Sequence, residues 1–384
     1  MRILFIENSG NSSAGAFHSM VTLIGLLKQY GVESYVAVPD RANGLAMLET
    51  NGIPYIKMRA CSYTWLISEN DSLVEKMKMP LKYLYTILAS LKLAKYAKEH
   101  HIDIIHENTS ACYLGKFVAD NLNLPHIWHI REFLEEDFGI TIWNKKRALK
   151  MMNDSTALIT VSDAITDKYK KLVRQDLLHK IYNGISIEHF YHPNRQVNIG
   201  RTSKVLCVGR VCDGKGQGDV IQALAQLKKK YNMELQLYIA GIYDAEYADK
   251  IMDPAITANI AENIHFLGQC NNMSEIYNQM DILCMSSKKE AFGRVTVEAM
   301  LSGMLVVGSN SGGTSEIVTD RETGLLYEPG SIVDMAQTLK YAVDHSDEMA
   351  CIAEKGREYA MQRFDAERNA REIYELYKRV LDQS

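Results

Sequence analysis

No apolar run in this chain approaches the roughly 18 residues that a membrane-spanning helix needs. The opening segment, MRILFIENSG, holds only a short apolar run, which does not make a secretory leader. There is no C-x-x-C. The seven cysteines are Cys61, Cys112, Cys207, Cys212, Cys270, Cys284 and Cys351, several inside apolar runs such as KVLCVGR and DILCMSS. This excludes a zinc ribbon or a dithiol redox motif and fits buried thiols in a reducing compartment. No D-x-D triplet and no His/Cys group with metal-ligand spacing occurs, so no metal site is expected. Neither sign of charge dominates, with 43 Lys and Arg against 47 Asp and Glu. That balance excludes an obligate nucleic-acid binder. A hydrophobic content of 47% excludes a disordered chain. No repeat of fixed period and no low-complexity tract interrupts the sequence. The expectation is a cytoplasmic protein, with peripheral contact at the inner membrane face left open.

What is present is length and alternation. The chain has 384 residues, enough for two domains with separate cores. Residues 1–185 carry 22 Lys and Arg against 19 Asp and Glu, and the remainder carries 21 against 28. A basic-leaning half beside an acidic half suggests a face that meets something anionic. Short β-type runs alternate with helical patterns: RILFI, SYVAV, IDIIH, HIWHI and ALITVS. After a polar, irregular linker at 184–203 the series restarts with KVLCVG, LQLYIAG, IHFLG, DILCM and LVVGS. Strand–helix–strand order predicts parallel sheets covered by helices. The fold class is therefore α/β, with two doubly wound, Rossmann-like domains facing a cleft. The domains are 1–185 and 186–365. Residues 366–384 are a charged amphipathic helix, expected to pack back across the junction.

Three stretches of the second half carry chemistry. VGRVCDGKGQGD follows a strand and clusters Gly209, Gly214, Gly216 and Gly218 with Arg210 and Lys215. Glycines admit a ligand close to the backbone, and two cations suit a diphosphate. Solvated charges on a glycine-rich turn would look the same. KKEAFGRVTVEAM holds Glu290 and Glu298 around a helix start near Gly293. Helix-start N–H groups suit phosphate oxygens, and carboxylates suit sugar hydroxyls. Two solvated surface carboxylates are the plainer alternative. SGGTSEIV offers the N–H groups of Gly312, Gly313 and Thr314 as an anion nest, or merely a helix start. Three such elements at successive strand ends point together to a nucleotide carrying a sugar.

In this order, after an N-terminal glycine loop, the motifs GR…KG, E-x₇-E and GG-x-x-E resemble glycosyltransferase family 4. These are retaining enzymes of the GT-B fold, also called glycosyl transferases group 1. The likeness spans nearly the whole chain, and EAFGRVTVEAM is its most specific part. IYNGISIEHF resembles the family's crossing into the second domain, although Ser186 stands where an aspartate is usual. The resemblance implies roles. Arg210 and Lys215 would bind and stabilise the leaving diphosphate. Glu290 would hold donor-sugar hydroxyls and Glu298 the ribose. Ala291, Phe292 and Gly293 would offer backbone amides. Gly209 would admit the ligand, and the loop 268–271, with Gly268 and Cys270, would lie by the base. The first domain would contribute Ala14, Gly15 and Ala16 near the diphosphate and His129 near the sugar ring. His126 and His106 rival His129, and Pro125 in P-x-x-x-H favours His129. Arg131 and Glu132 are expected to touch the acceptor.

The implied activity is transfer of a hexosyl group from a nucleotide sugar, first of all a UDP-sugar, to a glycan or lipid-linked acceptor in cell-surface polysaccharide synthesis. No cofactor and no metal are expected, since the nucleotide sugar is a substrate. A nucleotide-sugar 2-epimerase and a non-catalytic nucleotide-binding protein are the alternatives. The basic, apolar-rich stretch 76–101 suits an anionic membrane. It equally suits a packed helix with its lysines on the wet face.

Overall fold

In the computed structural model the described residues are 1–383 apart from Ser13, Glu69, Asn194 and Gln196, with the side chains of Asp137 and Phe138 also outside the description. Ser13 belongs to the first glycine loop, and Asn194 and Gln196 to the stretch read as a linker. The chain divides into two compact units, Met1–Gly184 with Ala366–Ser384, and Ile185–Asp365.

The first unit is built on a 7-stranded sheet. Its strands come from β1 (Arg2–Ile6), β2 (Glu33–Val38), β3 (Tyr55–Lys57), β5 (Ile104–Glu107), β6 (His126–Ile130), β8 (Ala157–Thr160) and β9 (Leu178–Lys180). The order is β3-β2-β1-β5-β6-β8-β9, with all pairings parallel. A small antiparallel pair, β4 (Leu66–Ser68) with β7 (Ile140–Ile142), stands apart. Parallel strands covered on both faces read as continuous apolar runs. Ile3, Leu4, Phe5 and Ile6 are accordingly all buried. The final helix, Ala366–Asp382, repeats apolar residues at helical spacing. Ala370, Ile373, Tyr377 and Val380 join the core formed by Phe5, Phe17, Ile24, Ile127 and Ile159. The amphipathic period read from the sequence thus becomes part of the first unit's own core.

The second unit has a 6-stranded sheet in the order β12-β11-β10-β13-β14-β15. The strands are β10 (Lys204–Val208), β11 (Gln236–Ala240), β12 (Ile264–Gly268), β13 (Ile282–Met285), β14 (Leu305–Ser309) and β15 (Leu325–Tyr327). Again every pairing is parallel. Strand order reverses between β10 and β13. The loops leaving these neighbours diverge, which opens a crevice outside their carboxyl ends. In the first unit the same switch falls between β1 and β5. Among the described residues no helix is long and apolar enough to cross a membrane.

Candidate active site

At the switch point of the second unit two loops are laced together. Lys288 N–H donates to the Gly214 carbonyl at 3.0 Å. Ser286 Oγ donates to the Lys215 carbonyl at 2.7 Å. Gly216 has φ +70°, and a Cβ there would lie 2.3 Å from the Ser286 carbonyl, so only glycine fits this approach. The lacing brings Lys215 Nζ onto Glu290 Oε1 as an ion pair. Ser287 Oγ also donates to Glu290 Oε1, at 3.1 Å. A cation and a carboxylate from different loops therefore stand side by side, both partly exposed. The Lys215 stem runs over Gly209, 3.7 Å from where a Cβ would sit. Arg210 is exposed and its guanidinium meets no partner among the described residues.

The helix Arg294–Leu301 starts at Gly293, in the left-handed region at φ 97°. Ala291 and Phe292 precede it and are buried. Glu298 lies inside this helix. It accepts from Tyr277 Oη at 2.9 Å and from Arg294 at 3.0 Å. Burial and the Glu298 charge push the Tyr277 hydroxyl well above its ordinary pKa, so Tyr277 stays a donor. A carboxylate has about four lone-pair sites, and two accepted bonds leave room for ribose hydroxyls. Tyr277 and Arg294 were not singled out in the sequence. The i, i+4 spacing of Arg294 to Glu298 was the one available signal.

The double glycine departs from its expected role. Gly313 N–H is donated to the Glu290 carbonyl at 2.8 Å. A Cβ on Gly312 would lie 2.5 Å from the Glu290 carbonyl oxygen, and one on Gly313 would lie 2.2 Å from that of Phe292. These glycines let the start of the helix Gly312–Ile317 press against the 290–292 loop. The Gly313 N–H is thus not part of an open anion nest. In the loop after β12, expected by the base, Gly268 has φ +68° and Cys270 Sγ lies 3.5 Å from the Gly268 carbonyl. Partial burial raises the Cys270 thiol pKa. A cavity of about 190 Å³ beside Gly216 is lined by Asp213, Tyr247 and Lys288 among others. None of Arg210, Lys215, Glu290 or Glu298 lines it, so it does not mark the chemistry.

In the first unit, β5 and β6 are buried along their whole lengths, which places the three rival histidines in the core. Their partners separate them. His126 uses both ring nitrogens, Nδ1 with Ser155 Oγ at 3.0 Å and Nε2 with Glu107 at 3.3 Å. His106 also uses both, Nδ1 with Tyr377 Oη at 2.7 Å and Nε2 with His129 Nδ1 at 3.2 Å. His129 Nδ1 additionally lies 3.2 Å from Arg131 NH2. An arginine can only donate, so His129 Nδ1 accepts and the ring proton sits on Nε2. His106 then donates through Nε2 and accepts from Tyr377. One atom remains over: His129 Nε2 is buried without a partner among the described residues. A buried N–H left unpaired is costly, and it is the kind of group that a ligand oxygen completes.

Arg131 and Glu132, expected to touch an acceptor, are both engaged within the first unit. Arg131 is buried and donates to Asn108 at 3.1 Å as well as lying against His129. Glu132 accepts from Thr109 Oγ1 at 2.8 Å, and burial raises its pKa. Both brace the loops behind β5 and β6. Asn108 also donates to Glu7 at 2.6 Å and to the Ala16 carbonyl at 3.2 Å. Glu7 in turn holds Ser9 N–H at 3.0 Å and Ser9 Oγ at 2.9 Å. This network ties His129 to the start of the helix Gly15–Leu27, where Ala14 is the N-cap.

Burial first, then nearby Arg131, holds both His106 and His129 well below the usual imidazole pKa. The unfolded chain binds these protons near pH 6.5 and the folded chain does not. The stability contributed is therefore present above about pH 6.5 and lost as pH falls below it. His106→Gln keeps an amide donor toward His129 but removes one titrating ring. Its unfolding free energy between pH 6 and 5 should fall less steeply than that of the parent, by up to about 1.4 kcal/mol per pH unit. Denaturant titrations at both pH values measure this. Equal slopes would contradict a neutral, buried His106.

Comparison with known proteins follows this geometry. Residues 14–189 match the family "Glycosyltransferase Family 4" and residues 193–359 match "Glycosyl transferases group 1". The chain is 22% identical over 315 residues to the N-acetyl-alpha-D-glucosaminyl L-malate synthase of Bacillus anthracis, covering 77% of this chain and 80% of that protein. It is 23% identical over 243 residues to the capsular polysaccharide biosynthesis glycosyltransferase CapM of Staphylococcus aureus, covering 60% and 63% of the two chains. The solved structure of Anabaena Alr3699/HepE in complex with UDP and glucose superposes with a TM-score of 0.80 at 22% identity, over 98% of this chain and 99% of that one. The architecture is that of the GT-B fold, two parallel-sheet Rossmann-like domains. With both halves matched in order, the chain belongs to the group 1 glycosyltransferases of family 4.

Proposed function

We propose that this glycosyltransferase moves a hexosyl group from a UDP-sugar to a hydroxyl of a glycan or lipid-linked acceptor, with retention at the anomeric carbon. The observation that carries this reading is the Lys215–Glu290 pair at the switch point. An ammonium has three donors, so Lys215 can keep Glu290 and still reach a phosphate oxygen. Arg210, exposed on the same glycine-rich loop, adds a second cation. Together they stabilise the charge that develops on the leaving diphosphate, which is the ground for reading the transfer as metal-independent. Glu290 accepts from sugar hydroxyls and Glu298 from the ribose, while backbone amides at 291–293 donate to oxygens of the sugar and phosphate. Gly209, Gly15 and Ala16 give the diphosphate close approach, and Gly268 and Cys270 flank the base. His129 donates its Nε2 proton to an oxygen of the sugar ring's substituents.

In the retaining step the bond from the anomeric carbon to the phosphate oxygen breaks. The acceptor oxygen bonds to the same face, and its proton passes to the departing phosphate. The UDP in the Anabaena neighbour supports UDP-sugars as the first donors to try, and the capsular relative supports a polysaccharide acceptor. The free cysteines among the described residues fit a reducing, cytoplasmic compartment. A lipid-linked acceptor would be met at a membrane surface by the N-terminal unit.

A thermal-shift screen of UDP-, GDP- and ADP-sugars tests donor choice. A ligand at about 100 times its Kd stabilises a fold by about 2.7 kcal/mol. The UDP-sugars should raise the melting temperature and the others should not. A shift with GDP- or ADP-sugars alone would reassign the base.

A further inference from the structure

The helix Met79–Glu99 turns its small and hydroxylated residues inward. Thr86, Ser90, Ala94 and Ala97 are buried, with Asn121 Nδ2 donating to Ser90 Oγ at 3.0 Å across to the helix Leu114–Leu122. Small residues allow that neighbour to come close. Met79, Tyr83 and Leu93 are buried with them, and most of the other large apolar side chains of this stretch are left outside. Met77 is 69% exposed, Leu81 68%, Leu84 54%, Leu88 60% and Leu91 57%. Their spacing of three and four residues makes one continuous stripe. Of the 15 exposed large hydrophobic residues described, 8 lie between Leu73 and Leu91. Scattered apolar residues on a surface are ordinary, whereas a contiguous stripe marks an interaction face.

The charge around the stripe identifies the partner. Lys78, Lys92 and Lys95 are exposed and Lys82 is half-buried, on the stripe's flank and its C-terminal continuation. No acidic residue stands between Glu75 and Glu99. A second copy of this chain laid on the face would set lysine against lysine along its length, with carboxylates only at the two ends, Glu75 and Glu99, the latter 3.8 Å from Lys95. Anionic phosphate headgroups answer them directly. We propose that this face docks on an anionic lipid surface, with the leucines entering the boundary between headgroups and acyl chains and the lysines meeting lipid phosphates. A helix lying in that plane buries one stripe and keeps its cations at headgroup level. The proposal concerns binding alone and stands or falls independently of the transfer reaction.

The test is flotation of the full chain with vesicles of phosphatidylcholine mixed with phosphatidylglycerol, and with phosphatidylcholine alone, at low and high salt. The parent should float with the anionic vesicles, and less at high salt. Leu84→Gln with Leu88→Gln should weaken that binding about a hundredfold. Lys78→Gln with Lys92→Gln should reduce the preference for anionic over neutral vesicles about thirtyfold. Melting temperature and sedimentation coefficient are recorded for each protein, since exposed positions should leave both unchanged. No flotation of the parent, or undiminished flotation of the leucine variant, would overturn the proposal. A parent dimer that the leucine variant dissolves, with no vesicle binding, would assign the face to a second copy and overturn it equally.

Discussion

Lys215→Ala should lower the rate of transfer about a thousandfold while leaving the melting temperature within a few degrees of the parent. The rate loss follows from charge. Removing one preorganised donor from a developing oxyanion costs about 10²–10³ in rate, and a full cation places the effect at the upper end. The small stability effect follows from exposure. Lys215 and Glu290 side chains are 30% and 17% exposed, and ion pairs open to water contribute about 0–1 kcal/mol. Arg210→Ala should behave alike, with a smaller loss. Lys215→Ala with Glu290→Gln should not lose the sum of the two single effects, because each residue orients the other. Steady-state donor consumption and thermal melts of the parent, of Lys215→Ala, Arg210→Ala and Glu290→Gln, and of the double variant decide it. Full transfer activity in Lys215→Ala would remove the lysine from the mechanism. A melting temperature lower by tens of degrees would make its role structural.

The second large effect is steric. Gly313→Ala places a Cβ about where the Phe292 carbonyl oxygen is, 2.2 Å away. Backbone on both sides prevents relief by rotating a side chain. The 290–292 loop must move, and the bond from Gly313 N–H to the Glu290 carbonyl is strained with it. Overpacking of this kind costs about 1–3 kcal/mol, and the moved loop carries Glu290 off the sugar. Donor binding should therefore be lost in a protein that is still folded at room temperature. Gly25→Ala is the control, since nothing lies within 4 Å of its Cβ position. In mid-helix, alanine there should stabilise by about 0.5–1 kcal/mol. Donor affinity in Gly313→Ala equal to that of the parent would show that the two loops are not coupled.

Much of the scaffold was legible because parallel strands buried on both faces are short apolar runs. HIWHI, IHFLG and LVVGS match β6, β12 and β14 residue for residue. Tyr55–Lys57, Leu178–Lys180 and Leu325–Tyr327 were not legible. Strands of three residues are too short to show a period. The cation and carboxylate of the second unit could be named from their loops, but not their pairing, because the lacing of the two loops is a long-range event. The double glycine, left open between an anion nest and a helix start, could not be resolved for the same reason. Its need for glycine comes from a loop some twenty residues earlier, not from a ligand.

The first unit shows the limit differently. Tyr377 and His106 are 271 residues apart, and no local pattern joins them. The only trace was a tyrosine at an apolar position of an amphipathic helix. That hydroxyl completes the chain in which Arg131 sets the tautomer of His129 and, through it, of His106. The sequence also allowed lysines alone on the wet face of Met79–Glu99. Leucines share that face because packing against the helix Leu114–Leu122 takes the small residues inward. The period was visible, but which of two plausible faces would be buried was not.

The central claim is that the second unit's strand-end loops hold a nucleotide sugar and release its diphosphate with retention. Proton NMR of UDP-sugars incubated with the protein, with and without a glycan acceptor, tests it most directly. The account predicts free UDP and a sugar product whose anomeric configuration is that of the donor. An intact nucleotide sugar epimerised at C2, a product of inverted configuration, or no UDP from any donor would contradict it.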